Sequence, residues 1–283
     1  RADHDGGGPL GGHPVHLLEQ VGPDPRVRRA PGALPGRAPF GARVVVQAQQ
    51  AALVEHYAGE AGHRGLANPT TIISLERGSG LRHVRLQREA PSAFHVGRVL
   101  VEQAAGSSYS SLALGLGARL SRVELAVRLD GEEAECSLSG LYAMDARRHA
   151  DHHLAIHHAR PRTRSAQHYK GVLEDESRGV FTGKVVVAPG SAKIRATQSS
   201  ASLLLGAGAI ADARPQLEIL ADDVACNHGA TIGRLDDESL FYLYSRGIDP
   251  REARRMLVAG FAAEVVEAVE PESLREALVA LVG

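Results

Sequence analysis

Apolar and polar residues alternate along most of this chain. From Ala42 to about Gly233 they come in short runs, beginning with Arg43-Val44-Val45-Val46 and Ala51 to Tyr57. Leu81 to Leu86 alternates, with Leu81, His83 and Arg85 on one face and Arg82, Val84 and Leu86 on the other. Arg122 to Leu129 is cleaner: Val123, Leu125, Val127 and Leu129 face inward, and Arg122, Glu124 and Arg128 face out. That is the period of a half-buried strand. Gly179 to Val187 continues it. Many such strands with no amphipathic helix between them predict a barrel, a sandwich or a β-solenoid. The gaps are short, the glycines are scattered, and no Asn-Gly or Asp-Gly hairpin turn recurs. A parallel β-helix, whose rungs stack over one continuous narrow core, fits this best. No fixed-period repeat stands out.

After Gly233 the period changes. Asp236-Asp237-Glu238 opens a helix with an apolar stripe of Leu240, Phe241, Leu243 and Tyr244, and Gly247 falls where a C′ glycine ends one. Asp249-Pro250-Arg251-Glu252 reads as an N-cap, a proline at N1 and a capping-box glutamate. That helix runs through Met256, Phe261 and Val265, and Pro271 opens a last one with Leu274, Leu278 and Leu281. The expected organisation is a Gly/Pro/Arg-rich leading segment over 1–41, a β-helix over 42–233 and a small helical domain over 234–283. The fold class is thus mainly β, a right-handed parallel β-helix followed by helices, with the hand taken from the resemblance described below.

Composition narrows the function. The 283 residues are 43% hydrophobic and 23% charged, and 32 basic against 33 acidic residues leave a net charge of −1. That charge gives no global field for nucleic acid or an anionic membrane. Aromatics are 4% with no Trp, so base-stacking platforms are not expected. Two cysteines form no disulfide framework and suit a reducing, cytoplasmic compartment. No apolar run reaches membrane-spanning length. The polar start carries no signal-peptide core, and its opening on Arg1 is what a fragment would show.

Most motifs dissolve on inspection. Gly206-Ala207-Gly208-Ala209-Ile210-Ala211 matches a dinucleotide fingerprint, but Pro215 follows and no helix can, so a glycine-rich turn is expected. Gly179 to Lys184 is too short for a P-loop, and Val185 stands where a magnesium-binding hydroxyl would be. His152-His153-Leu154-Ala155-Ile156-His157-His158 places His153 and His157 on one face and His152 and His158 on the other. The expectation is a wet polar face rather than a metal site, with no carboxylate or thiolate beside it at ligand spacing. Asp222 and Asp223 point to opposite faces and cannot flank one bond. Cys226 and His228 emerge on one face of a strand. They read either as two soft metal ligands awaiting others or as a buried thiol with a satisfied imidazole.

From Gln216 to Gly233 the run QLEILADDVACNHGATIG closely resembles the SufB/SufD family, and LDDESLFYLYSRGI (235–248) and GFAAEV (260–265) continue it. His168 to Leu173 and Ser177 to Lys184 look like the family's central segment. The SufB cysteine-bearing and acidic C-terminal motifs are not seen, which favours the SufD side. The chain departs from the family pattern at Ser199-Ser200-Ala201-Ser202, where Asn and Arg are commoner.

The resemblance implies a non-catalytic scaffold in iron–sulfur cluster assembly. It implies a SufB-like partner through the β-helix, and a SufC-like ABC ATPase through Phe241, Tyr242, Leu243, Arg246, Gly247 and the following helix. It makes His228, with Cys226, a candidate ligand of a nascent cluster at the SufB interface. Reduced flavin on the complex and a homodimer without SufB are compatible with it. The alternatives are a SufB-like paralogue or a purely structural β-solenoid. A carbohydrate-active β-helix would need clustered carboxylates on one face. For the helical tail, docking and self-packing on the β-body are both expected to hold.

Overall fold

The computed structural model describes residues 15–18, 28–29, 41–59, 62 and 64–266. The expected helix after Pro271 and most of the leading segment lie outside the described residues. The chain begins with β1 (Val15–Leu18), β2 (Arg28–Arg29), β3 (Gly41–Val46), β4 (Ala51–Ala58), β5 (Leu66–Ala67) and β6 (Thr70–Leu75). There follow β7 (Gly80–Arg88), β8 (Phe94–Gln103), β9 (Ser108–Gly115), β10 (Leu120–Leu129), β11 (Glu135–Met144) and β12 (His149–His158). The last strands are β13 (Arg164–Leu173), β14 (Arg178–Val187), β15 (Ile194–Leu204), β16 (Ile210–Ile219) and β17 (Val224–Gly233). Helices α1 (Asp237–Ser245) and α2 (Pro250–Val266) complete it.

Odd-numbered strands from β7 onward stack in one parallel sheet and even-numbered ones from β6 onward in the other. The chain passes from sheet to sheet at every turn, which makes a parallel β-solenoid. The leading segment contributes more than sequence suggests, because β1 pairs antiparallel with β4 and β2 antiparallel with β3.

The inward columns carry the stability. Val99, Leu125 and Leu154 stack in register, as do Val101, Val127, Ile156 and Val185, all buried. Burying each such side chain stabilises by roughly 1.5–3 kcal/mol relative to exposure. The repeat hidden in the sequence becomes visible at the turns. Gly78, Gly106, Glu133, Arg162 and Gly190 all have positive φ and recur 27–29 residues apart. Each precedes a buried small residue: Ser79, Ser107, Ala134, Thr163 and Ser191. The Ser79 and Ser107 hydroxyls donate back to the carbonyls of Glu76 and Ala104, both at 2.7 Å. The period is a pattern of backbone conformation and side-chain size, which non-identical residues satisfy.

Two tyrosines fill the lumen reciprocally. Gly140 pairs with Tyr169 and Tyr142 with Gly171 on neighbouring rungs. A Cβ at Gly140 would lie 2.1 Å from the Tyr169 ring, and one at Gly171 2.3 Å from the Tyr142 ring. Both rings are buried, so neither can swing away. Gly171→Ala is therefore expected to cost about 1–3 kcal/mol by overpacking. Urea denaturation against wild type measures it, and an unchanged midpoint would contradict the reciprocal packing.

The helical tail packs on the solenoid. Ala262, Val265 and Val266 of α2 cover an apolar outer stripe of Val84, Leu112, Leu114, Leu141 and Val172. Lys170 fastens it: buried on β13, its Nζ donates to the Phe261 carbonyl at 3.0 Å and meets Glu264 at 2.5 Å. It also stands 4.3 Å from the Phe261 ring centre, a cation–π distance. The α2 cap corrects one detail of the sequence reading. Asp249 Oδ1 accepts the Arg251 N–H at 2.8 Å, but Glu252 turns forward to Arg255 at 2.6 Å instead of closing a capping box.

Candidate functional site

The solenoid ends on two edge strands, β16 and β17, each last in its sheet. An edge strand presents unpaired backbone donors and acceptors to any chain that can pair with it. Ile210, Ile219, Leu220 and Ile232 are exposed around this end, Leu220 by 54%. Apolar side chains beside open strand edges make an association surface.

Cys226 and His228 both lie on β17, two residues apart, as alternation requires. They are not equivalent. Cys226 packs against Val185, Val187, Ile194 and Ala196, and burial pushes its thiol pKa up. His228 is exposed. Beneath them in register lie Ala196 and Gln198. The imidazole is open to solvent at the end of the solenoid, and the thiol lies against apolar neighbours that disfavour its thiolate. Cys136 is deeper still, and burial raises its pKa further. Among the described residues no group of three or more His, Cys, Asp or Glu side chains is placed to hold a metal ion.

The second surface is α1. Asp236 caps it, accepting the Ser239 N–H at 2.8 Å. Leu240 is buried, while Phe241 is 73% and Tyr242 57% exposed. Leu243 is half-buried. Arg246 lies 5.1 Å from the Tyr242 ring centre, and Gly247 has φ +80° and donates to the Tyr244 carbonyl at 2.9 Å. It is a short helix with exposed aromatic side chains and a defined C-terminal turn. Tyr242 and Arg246 are brought together at its surface beside exposed Phe241, with Gly247 setting the exit of the chain.

The histidine run departs from expectation. His153 and His157 face out, but His152 and His158 are buried in the lumen. The interior hydrogen-bonds His158 but packs His152 among rings, with His152 Nδ1 left without a hydrogen-bond partner. His158 meets Thr163 Oγ1 at 2.7 Å and Ser165 Oγ at 2.9 Å, and His152 stacks 5.0 Å from the Tyr142 ring. A carboxylate is also present, since Asp151 Oδ1 lies 2.8 Å from His153 Nε2 and Oδ2 takes an Arg122 hydrogen bond at 2.5 Å. The face is an ion-paired ladder. Gly206 to Ala209 is a glycine-rich rung turn as expected and Ile210-Ala211 opens β16, and a Cβ at Gly206 would strike the Asp175 backbone at 2.4 Å.

Alternation also hides a charged network. His83 and Arg85 point into the lumen with Leu81. Arg85 Nε donates to Glu55 Oε2 at 3.1 Å, His83 Nε2 lies 3.1 Å from the same oxygen, and Thr71 Oγ1 donates to Glu55 Oε1 at 2.5 Å. Burial alone would raise the Glu55 pKa, yet His83, Arg85 and Thr71 together hold it far below the carboxylate range. The signal available in sequence was the mixed face of Leu81, His83 and Arg85, which an exposed strand would not share.

No helix among the described residues is long and apolar enough to cross a membrane. Residues 41–261 match the family described as SUF system FeS cluster assembly, SufBD core domain. The chain is 33% identical over 242 residues to the iron–sulfur cluster assembly protein SufD of Escherichia coli K12, covering 84% of this chain and 56% of that protein. It is 32% identical over 208 residues to a SufBD family protein of Synechocystis, covering 74% and 46%. It is 31% identical over 236 residues to the chloroplastic protein ABCI7 of Arabidopsis thaliana, covering 82% and 50%. It therefore spans about half the length of these curated relatives. With the match running through the parallel solenoid, α1 and most of α2, the chain belongs to the SufBD family of the SUF iron–sulfur cluster assembly system.

Proposed function

We propose that this chain is a SufD-like, non-catalytic scaffold subunit of a SufB–SufC–SufD complex that assembles iron–sulfur clusters and passes them to apo-proteins. The observation that carries this reading is the open end of the solenoid. There an exposed imidazole, His228, sits on an unpaired edge strand among exposed Ile and Leu side chains. A SufB-like solenoid pairing along β16 and β17 would bury that end and supply the missing ligands. Iron and sulfide are cargo here, and a site shared between two chains can release what it builds. His228 is the ligand from this side. The apolar setting of Cys226 makes it the weaker candidate, with its thiol supporting the strand beneath.

The ATPase partner would cover Phe241, Tyr242, Leu243, Arg246 and Gly247. Nucleotide-driven movement of that partner would pull on α1 and α2. The Lys170 anchor then gives such a pull a route into β13. The helical tail in this reading both packs on the solenoid and docks.

Anaerobic co-expression of this chain with SufB-like and SufC-like partners, affinity purification and iron and sulfide assay test the proposal. His228→Ala is expected to leave the complex intact and to lower its iron and sulfide content severalfold. An intact complex with unchanged content would make this chain purely architectural. Failure of either variant to form a complex would refute the scaffold assignment.

A further inference from the structure

Gln167, Gln198 and His228 occupy paired positions on three consecutive strands, β13, β15 and β17. Both amides are buried, Gln198 to 2% exposure. Gln198 Nε2 donates to Gln167 Oε1 at 3.1 Å, which spans one rung. The other carboxamide atom of Gln198, Oε1, is buried without a partner. Buried acceptors are nearly always satisfied, so this one calls for an explanation. The amides are also held in place from the opposite sheet. A Cβ at Gly183 would lie 1.6 Å from Gln198 Nε2 and 2.9 Å from Gln167 Oε1, so only glycine leaves room for the pair. The next rung after Gln198 carries His228, exposed at the open end.

An imidazole that binds a metal through one nitrogen carries a proton on the other. The acceptor of that N–H fixes both tautomer and ring direction. We infer that Gln198 is a positioning residue for His228. When a partner covers the open end, the Gln198 carbonyl oxygen accepts the ring N–H of His228 and leaves the second ring nitrogen for a divalent iron ion. The rung-to-rung step needed is the one Gln198 already makes to Gln167. This inference rests on the reading of His228 as a metal-binding group.

The test uses the anaerobic ternary complex and Co²⁺ as a spectroscopic stand-in for iron. Affinity and ligand-field bands are read for wild type, Gln198→Met, Gln198→Glu and His228→Ala. Gln198→Met keeps the length but offers no comparable acceptor, and is expected to weaken the His228-dependent Co²⁺ site about 10–100-fold and to shift its bands. Gln198→Glu restores an acceptor oxygen and is expected to recover affinity and spectrum, which a merely structural role would not predict. If Gln198→Met fails to assemble, Gln198→Asn, one methylene too short to reach, carries the same expectation of weakened binding. Wild-type affinity in Gln198→Met alongside a loss in His228→Ala overturns the positioning role and leaves His228 as a ligand. Wild-type binding in His228→Ala overturns both.

Discussion

Glu55→Ala is expected to be the most destabilising single substitution in the solenoid, costing about 3–5 kcal/mol, because it leaves a buried guanidinium without its counter-charge. Arg85 is 4% exposed and Glu55 2%, so water cannot take over the role of the missing carboxylate. The substitution also removes the acceptor of the Thr71 hydroxyl and the partner of His83. Removing both charges should be far milder. Glu55→Leu combined with Arg85→Leu is expected to recover at least half of the loss, since a buried ion pair replaced by apolar side chains is often near neutral. Chemical denaturation of Glu55→Leu, Arg85→Leu and the double gives the coupling directly. Solenoid stability is roughly a sum of rung and nearest-neighbour terms, so hydrogen exchange should rise first in β4, β7 and β9. A loss under about 1 kcal/mol for Glu55→Ala would mean that the guanidinium is hydrated and that the network is not the dry one described.

That network also shows where sequence reasoning reaches its limit. Alternation correctly put Leu81, His83 and Arg85 on one face, and the faces of Arg122 to Leu129 came out as read. Period two says which residues share a face but not whether that face meets water. On an ordinary half-buried strand a His and an Arg mark the wet side. Inside a solenoid the same residues can be satisfied by chains some thirty positions away, as Arg85 is by Glu55. The same blindness misplaced His152 and His158. The helical tail was more legible because helix signals are local: Asp236 and Asp249 cap, and Gly247 terminates, each through a partner two or three residues away. At the open end, spacing put Cys226 and His228 on one face, but their unequal surroundings depend on β14 and β15. The alignment of Gln198 with His228 is a matter of register across thirty residues, which no local pattern encodes.

The two buried histidines should make the solenoid acid-labile. Burial pushes the pKa of His152 down to about 4, and burial together with neighbouring His157 does the same to His158. Unfolded histidine titrates near 6.5, so between about pH 6.5 and 4 the unfolded chain binds more protons than the folded one. Stability is then fully present above about pH 6.5, falls as pH drops toward 4, and stops falling from this source below that. A depression of this size corresponds to about 3 kcal/mol per histidine, of the order of half the stability of an ordinary domain for the two together. Each imidazole is held in surroundings that disfavour its charged form. His158 is enclosed by Thr163 and Ser165, and His152 lies between the Tyr142 and Tyr169 rings at 5.0 and 5.5 Å. Protonation therefore weakens the rungs of β11 to β13, which also carry the Lys170 anchor of α2. Urea denaturation at steps between pH 7.5 and 4 is expected to show a steep loss, and His152→Phe and His158→Gln should each flatten the slope by about one proton, roughly 1.4 kcal/mol per pH unit. An unchanged slope in both variants would assign the acid sensitivity to the carboxylates and leave these histidines with a packing role alone. A pH-linked loosening at β13 would also loosen α2, so a low-pH loss of the proposed ATPase partner in wild type that His152→Phe suppresses would tie the buried lumen to the proposed docking surface.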